Sequence, residues 1–176
     1  RVKGDAEKAQ PLAAVAFEAF SAHNLPDGVE PTLQAESTVD PQDFSYPHGT
    51  HLAAVEVDTE TGKTTLRTYV CVDDVGVQVN PMIVEGQVHG GLAQGIAQAM
   101  YEGVEYDEDG NLLTASLADY LVPRAADLPS FTTSTTETPS TTNPLGTKGV
   151  GEAGTIASTP AIINAIVDAL RPMGVT

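Results

Sequence analysis

Cysteine and basic residues are scarce in this chain, and each scarcity excludes a class of protein. Cys71 is the single cysteine among 176 residues, which rules out an intrachain disulfide and any metal site built from several cysteines. Eight Lys and Arg stand against 24 Asp and Glu, so the basic surface that nucleic acids or anionic membranes require is lacking. No signal-peptide pattern is found, and no apolar run approaches the roughly 18 residues that span a bilayer. These absences predict a cytoplasmic protein with no nucleic-acid partner and no membrane span.

The composition nevertheless predicts a folded chain. Hydrophobic residues make up 41% and charged residues 18%, and the length suits one domain over residues 1–176. The net charge of −16 is dispersed through segments such as "DTETGK", "YDEDGN" and "STVDPQD" rather than collected in a tail. Such dispersion is typical of proteins from a salt-rich cytoplasm, where ions screen the repulsion. An ordinary acidic domain is the alternative.

The first half of the chain predicts a helix, a weak strand and a clear β-hairpin. Residues 5–26 are helical in pattern from about Ala9, and residues 32–39 alternate weakly like a strand. In residues 51–76 two β-rich runs flank a turn at 58–62. Apolar alternation in these runs falls at Val55, Val57, Leu66, Thr68, Val70 and Val72.

A helix should follow, from an Asn80 cap and Pro81 to about Glu102. Its apolar stripe is Val84, Val88, Leu92, Ile96 and Ala99, and a second stripe consists of Gln87, Gly91, Gln94, Gly95 and Gln98. Glycine within a helix lowers stability by roughly 1 kcal/mol relative to alanine, so something should approach that face closely. Two interpretations stay open: tight helix–helix packing, or a ligand over the glycines with glutamines bonded to it.

The second half predicts a hairpin at 103–116, a Thr-rich strand at 130–138, a Gly/Pro-rich loop at 138–158, and a last helix. This helix should begin near Ser158 with Pro160 in its first turn, and bury Ile162, Ile163, Ile166, Val167 and Leu170. The elements together predict an α+β fold, with a mixed sheet built from β-hairpins and packed against three main helices.

The stretch "GVGEAG" at 149–154 matches the G-x-G-x-x-G fingerprint of dinucleotide-binding turns. The fingerprint requires a strand before it and a helix directly after it. Proline and glycine in the preceding "TTNPLGTK" argue against a strand, and the predicted helix begins late, so this context argues against a dinucleotide-dependent reductase. What remains is a glutamate, Glu152, on a glycine-rich loop that lets a bulky group approach the backbone. A carboxylate held against such a ligand suits a general base; a structural turn is the alternative.

Other polar residues carry weaker signals. His48 and His51 in "YPHGTH" are spaced like a metal pair, but without a third ligand at useful spacing they are interpreted as loop and strand-start histidines, and no metal-ligating side chain is predicted. Cys71, midway along a strand, is expected to be a buried small hydrophobe. The Ser/Thr run at 132–142 lacks a partnering base, which disfavours a hydrolase.

Two motifs, "EGQVHGG" at 85–91 and "TKGVGEAG" at 147–154, together resemble the C-terminal part of the molybdopterin-binding large subunit of molybdenum hydroxylases. This is the xanthine dehydrogenase and aldehyde oxidase superfamily, and the resemblance is nearest to aerobic carbon-monoxide-dehydrogenase-type large chains. Those chains read "DDCGRxxNP", where this chain has Val75 and Val77 in "DDVGVQVNP".

The resemblance implies a molybdenum–molybdopterin cofactor, in its cytosine dinucleotide form, held jointly with upstream domains. Glu152 then matches the general base used in hydroxylation with oxygen from water. Gln87 matches a glutamine that forms a hydrogen bond with the pterin. The neighbouring Gly90, Gly91, Lys148, Gly149, Val150 and Gly151 are assigned to cofactor binding on the same ground.

The resemblance also implies partners. These are the upstream part of the same large subunit, an FAD-binding medium subunit and a 2Fe-2S small subunit, assembled as a dimer of heterotrimers. The whole complex would oxidise carbon monoxide, an aldehyde or an N-heterocycle, and the isolated 176-residue chain would be inactive. A non-catalytic module that docks subunits of the same assembly is the alternative.

Overall fold

A computed structural model describes residues 3–5 and 7–176. The stretch treated as one domain in the sequence divides into two compact units, Arg1–Asp40 and Pro41–Thr176. In the first unit, helix α1 spans Leu12–Ser21 after Pro11 and ends at Ala22, whose φ of 56° is left-handed. The predicted strand at 32–39 is wrong: these residues are irregular, because their weak alternation is matched by no partner strand in the described chain.

The second unit contains a three-stranded sheet and two long helices among its described residues. The sheet consists of β1 (His48–Val57), β2 (Thr64–Asp74) and β3 (Phe131–Thr136) in that order. β1 and β2 are antiparallel, and β2 and β3 are parallel. Helix α2 (Pro81–Met100) lies between β2 and β3 in the sequence. Helix α3 spans Ala153–Leu170. The α+β class with a mixed sheet and three helices is therefore confirmed.

The first hairpin forms as predicted, and Val55 and Val57 lie on the more buried face of β1, but in β2 the buried face is opposite to the one that carries Val70 and Val72. Tyr69, Cys71 and Asp73 are buried on one face of β2, whereas Val70 and Val72 on the other face are only half-buried; Asp74, the last residue of the strand, is also buried. Both faces of β2 carry β-formers, so the alternation of aliphatic residues did not identify the face that α2 and α3 cover. The main core joins Tyr69 and Cys71 to Val88, Leu92, Ile96 and Ile162.

Helix α2 is the element that the sequence predicts best. Asn80 caps it by accepting a hydrogen bond from Ile83 N at 3.3 Å, and Pro81 occupies its first position. The second hairpin, by contrast, is reduced to one bridge between Tyr106 and Leu112 around a turn that the Asp107 side chain closes.

Helix α3 begins at Ala153, five residues before the predicted start near Ser158. Pro160 therefore lies inside the helix, where it cannot donate to the Ile156 carbonyl. Ile162 is buried as expected, but Ile163 is 43% exposed. Residues Ala153–Met173 are also long and apolar enough to cross a bilayer by length and composition, contrary to the expectation from sequence. This is weak evidence for a membrane span, because α3 packs against α2 and β1.

Candidate functional site

Helices α2 and α3 pack side by side in parallel, so both begin at the same end of the unit. A Cβ added to Gly91 would lie 2.9 Å from Thr155 N, and one added to Gly95 would overlap the Ser158 side chain. Further along, Thr159 Oγ1 donates to Gln98 Oε1 at 3.0 Å. Residue numbers rise together along the contact, and the middle of α2, at Val88 and Gly91, lies level with Gly154 at the start of α3.

This packing explains the glycines of the second stripe. Gly91 and Gly95 are buried against α3, and Gly154 faces the Val88 carbonyl so closely that no side chain fits between them. Of the two interpretations, the structure favours helix–helix packing at Gly91 and Gly95, because α3 occupies that space. Gln87, Gln94 and Gln98 are exposed, as is Gly90, which has no described atom within 4 Å of an added Cβ.

The loop before α3 is fixed to the end of β2 by backbone hydrogen bonds. Val77 N donates to Gly146 O and Lys148 N donates to Val75 O, both at 2.9 Å. Gly76 and Gly146 have φ of 65° and 69°, and a side chain on Gly76 would overlap the Gly146 carbonyl. These contacts fix the backbone of residues 146–148 against residues 75–77.

A buried ion pair between the Lys148 side chain and Asp74 also holds this loop against the end of β2. Lys148 Nζ lies 2.9 Å from Asp74 Oδ1, and the two side chains are 9% and 0% exposed. Asp74 also accepts from Gly76 N at 3.0 Å and from Thr136 Oγ1 at 3.1 Å. Burial alone would raise the pKa of Asp74, but the Lys148 ammonium, Thr138 and the Gly76 amide hold it well below its usual range. The resemblance assigns Lys148 to cofactor binding, and in the structure its ammonium group pairs with the buried Asp74 carboxylate.

The residues after Lys148 turn outward. Gly149, Gly151 and Glu152 are exposed, and no described atom lies within 4 Å of a Cβ added to either glycine. Val150 is half-buried and packs against the core. Glu152 precedes the first residue of α3, and its side chain caps no amide of the described chain. A negative charge is stabilised at this end of a helix by the helix dipole.

Gln87 lies one turn before Gly91 in α2, and Glu152 lies two residues before Gly154, so the two exposed side chains lie at about the same level along the helix pair. A cavity of about 270 Å³ lies between the first turn of α2 and the loop that leads to Glu152. Its lining includes Val77, Asn80, Ile83, Thr147, Lys148 and Val150. The open backbone at Gly149 and Gly151, next to this cavity, fits the approach of a large planar group.

The dinucleotide fingerprint is only partly matched in three dimensions. Helix α3 starts inside "GVGEAG", so the expected late start was wrong. However, the described residues 143–148 form no regular strand, only a bridge between Gly76 and Thr147. Gly154, the last glycine, packs against α2 rather than against a strand. The fingerprint still lacks its strand.

Sequence reasoning missed a second polar cluster, on the buried face of the sheet. His51 Nδ1 lies 2.8 Å from Tyr69 Oη, and His51 Nε2 lies 3.1 Å from Asp73 Oδ1. Cys71 completes the cluster, and burial together with the Asp73 charge raises its pKa to about 12. Cys71 is buried as expected. The side chains that join His51 in this cluster, Cys71 and Asp73, lie on the neighbouring strand β2, so spacing along the sequence does not reveal them.

Comparison with known proteins gives this arrangement a context. Residues 1–129 match the family model described as "Molybdopterin cofactor-binding domain". The chain is 44% identical over its whole length to the carbon monoxide dehydrogenase large chain of Hydrogenophaga pseudoflava, and 39% identical over 98% of its length to the nicotine 6-hydroxylase large subunit of Paenarthrobacter nicotinovorans. The crystal structure of quinoline 2-oxidoreductase from Pseudomonas putida 86 superimposes with a TM-score of 0.87 at 41% identity over 99% of this chain.

These matches extend past residue 129 and so include the Glu152 loop. The chain spans 22% of the carbon monoxide dehydrogenase chain, 21% of the nicotine 6-hydroxylase subunit and 22% of the quinoline 2-oxidoreductase chain. The chain belongs to the molybdopterin cofactor-binding domain family, as this domain occurs in the large subunits of molybdenum hydroxylases.

Proposed function

We propose that the exposed end of the helix pair forms one wall of a molybdenum-cofactor active site, with Glu152 as the general base. The observation that carries the proposal is the placement of Gln87 and the 149–152 loop at about the same level along two parallel helices. Relatives named for oxidising carbon monoxide, nicotine and quinoline support an oxidoreductase in the full-length protein. They do not favour a module that only docks subunits.

The residues of this chain fit distinct tasks in such a site. The Gln87 amide offers one donor nitrogen and one acceptor oxygen to the edge of a pterin. Gly149 and Gly151 leave their backbone open to close approach. The molybdenum cofactor, when bound, would supply the two-electron oxidation. A carboxylate oxygen of Glu152 would accept the proton that leaves the water, which is the oxygen source in this proposal.

Two residues of the predicted set receive positioning tasks instead. Lys148 holds the loop through Asp74, and Gly91 sets the distance between α2, which carries Gln87, and α3, which directly follows Glu152. Neither needs to contact the cofactor. Both fix the geometry of the wall, and positioned groups lose much of their effect when displaced by about 1 Å.

Substitution of Glu152 in the full-length large subunit tests the proposal. Glu152→Gln keeps the size and removes the base, so turnover should fall by about 10²–10⁴-fold while molybdenum and pterin contents stay at the wild-type level. Glu60→Gln, in the turn between β1 and β2, is the matched control and should leave turnover unchanged. A Glu152→Gln enzyme with full molybdenum content and undiminished turnover would contradict a catalytic role.

The finer features of the complex belong to the same proposal. We propose the cytosine dinucleotide form of the cofactor, a cytoplasmic location, and assembly with an FAD-binding medium subunit and a 2Fe-2S small subunit as a dimer of heterotrimers. The substrate class is a small carbon centre: carbon monoxide, an aldehyde or an N-heterocycle. Native mass spectrometry of the purified complex would test the subunit assembly, and nucleotide analysis of the released cofactor would test its cytosine dinucleotide form.

A further inference from the structure

Three potential metal ligands meet on the buried face of the sheet. The register of β1 and β2 pairs His51 with Cys71, and Asp73 lies two residues further along the same face of β2. The imidazole nitrogen, the thiol sulfur and a carboxylate oxygen all lie within 4.8 Å of one another. Gly49 faces Asp73, and its lack of a side chain leaves the space that the carboxylate occupies.

The cluster contains a buried polar atom that the described chain does not satisfy. The His51 and Asp73 side chains are 1% and 2% exposed. Asp73 Oδ1 is bonded to His51, whereas Asp73 Oδ2 has no hydrogen-bond partner among the described residues. A buried carboxylate oxygen in this state destabilises a fold unless a donor or a cation reaches it.

The remaining contacts orient His51 as a ligand. Its Nδ1 lies 2.8 Å from Tyr69 Oη, and the two rings meet edge to face. If Nδ1 donates to that hydroxyl oxygen, the lone pair of Nε2 points toward Asp73. Metal-bound histidines are commonly held by a hydrogen bond of this kind at their other nitrogen.

We propose that His51, Cys71 and Asp73 bind a single divalent metal ion of the zinc type, independently of the molybdenum cofactor. A nitrogen, sulfur and oxygen ligand set suits zinc, and a thiolate and a carboxylate together neutralise its charge. Tetrahedral zinc ligands lie about 3.3–3.8 Å apart, so the side chains must close by up to about 1 Å.

The fourth position has room for water. A cavity of about 80 Å³ is lined by His51 and Asp73 and covered by Ala153 of α3. One water needs only about 10–15 Å³ of such volume. Binding requires Cys71 to lose its proton, which a coordinated metal brings about.

Cobalt(II) is the probe, because a cobalt–thiolate bond absorbs in the near ultraviolet and tetrahedral cobalt(II) absorbs in the visible. Reduced protein should bind one equivalent of cobalt(II) with both absorptions, and zinc(II) should displace it. The Cys71→Ser variant should lose the near-ultraviolet band, and His51→Gln should bind at least about tenfold more weakly. His23→Gln, in the other unit, should bind like the wild type.

Thermal unfolding gives a second readout that reports whether each variant folds. Zinc(II) should raise the thermal midpoint of the wild type and of His23→Gln, but not that of a folded Cys71→Ser protein. The proposal is overturned if cobalt(II) in excess gives no thiolate band. It is equally overturned if the midpoint of Cys71→Ser rises as much as that of the wild type, because the surface carboxylates would then account for binding.

Discussion

The contact between α2 and α3 can be tested with two neighbouring glycines that differ only in what lies beside them. Gly90 and Gly91 both lie inside α2. A methyl group on Gly90 meets no described atom within 4 Å, whereas one on Gly91 lies 2.9 Å from Thr155 N and 3.0 Å from two backbone atoms of Gly154. Replacing each with alanine therefore separates helix propensity from helix packing.

The expected magnitudes follow from this difference. Alanine in place of glycine within a helix stabilises by about 1 kcal/mol, and this gain should appear in full for Gly90→Ala. For Gly91→Ala the new methyl presses on backbone that cannot rotate away, and overpacking of this kind destabilises by about 1–3 kcal/mol. The propensity gain cancels in the comparison, so the two variants should differ by about 2 kcal/mol, or roughly 4–8 °C in thermal midpoint for a chain of this size.

Thermal unfolding of the 176-residue chain, followed by circular dichroism, measures this difference. Gly86→Ala is a second control, since an added methyl there also meets no described atom. Gly90→Ala and Gly86→Ala should unfold above the wild type, and Gly91→Ala well below both. Equal stabilisation by Gly91→Ala and Gly90→Ala would refute the packing of α3 against Gly91, and with it the common level of Gln87 and Glu152.

Three further outcomes follow from the charges. Lys148→Met leaves Asp74 buried without its cation, so the thermal midpoint at neutral pH should fall, and the double variant with Asp74→Asn should recover part of the loss. Because the pKa of Asp74 is lowered in the folded state, its contribution to the free energy of unfolding is present above about pH 4 and is lost as the pH falls below that value. The thermal midpoint of Asp74→Asn should therefore drop less than that of the wild type between neutral pH and about pH 3. Molar KCl should raise the wild-type midpoint above its low-salt value by screening the −16 charge, and a midpoint that does not rise removes the halophilic interpretation.

The elements predicted correctly are those whose signals are local. The β1–β2 hairpin has a turn closed by Asp58 and Gly62, and α2 has both its cap and its proline in sequence order. The start of α3 was missed because Ser158 and Pro160 imitate a cap and a first turn. Pro160 leaves the Ile156 carbonyl without its hydrogen bond within the helix. The helix tolerates this loss because Ile156 lies on an exposed face, where water can reach that carbonyl.

Tertiary contacts decided what the sequence left open at the site. Packing and ligand binding both require glycine at a close approach, so the stripe on α2 could not distinguish them. The structure separates the two requirements residue by residue, since Gly91 and Gly95 face α3 and Gly90 faces open space. The ion pair of Lys148 was missed for a similar reason, because its partner Asp74 is 74 residues away and no periodicity links them.

The stretch "GVGEAG" now divides into two parts with different physical roles. Gly154 lets α3 meet the Val88 carbonyl, which sets the start of α3 level with the middle of α2. Gly149 and Gly151 meet nothing in the described chain, so their lack of side chains is unexplained by packing within it. An unexplained pair of glycines beside an exposed carboxylate is what a large ligand would require, whereas a purely structural turn would tolerate side chains at both positions. Alanine at Gly149 and Gly151 should accordingly leave the stability of this chain unchanged and lower the cofactor content of the full-length protein.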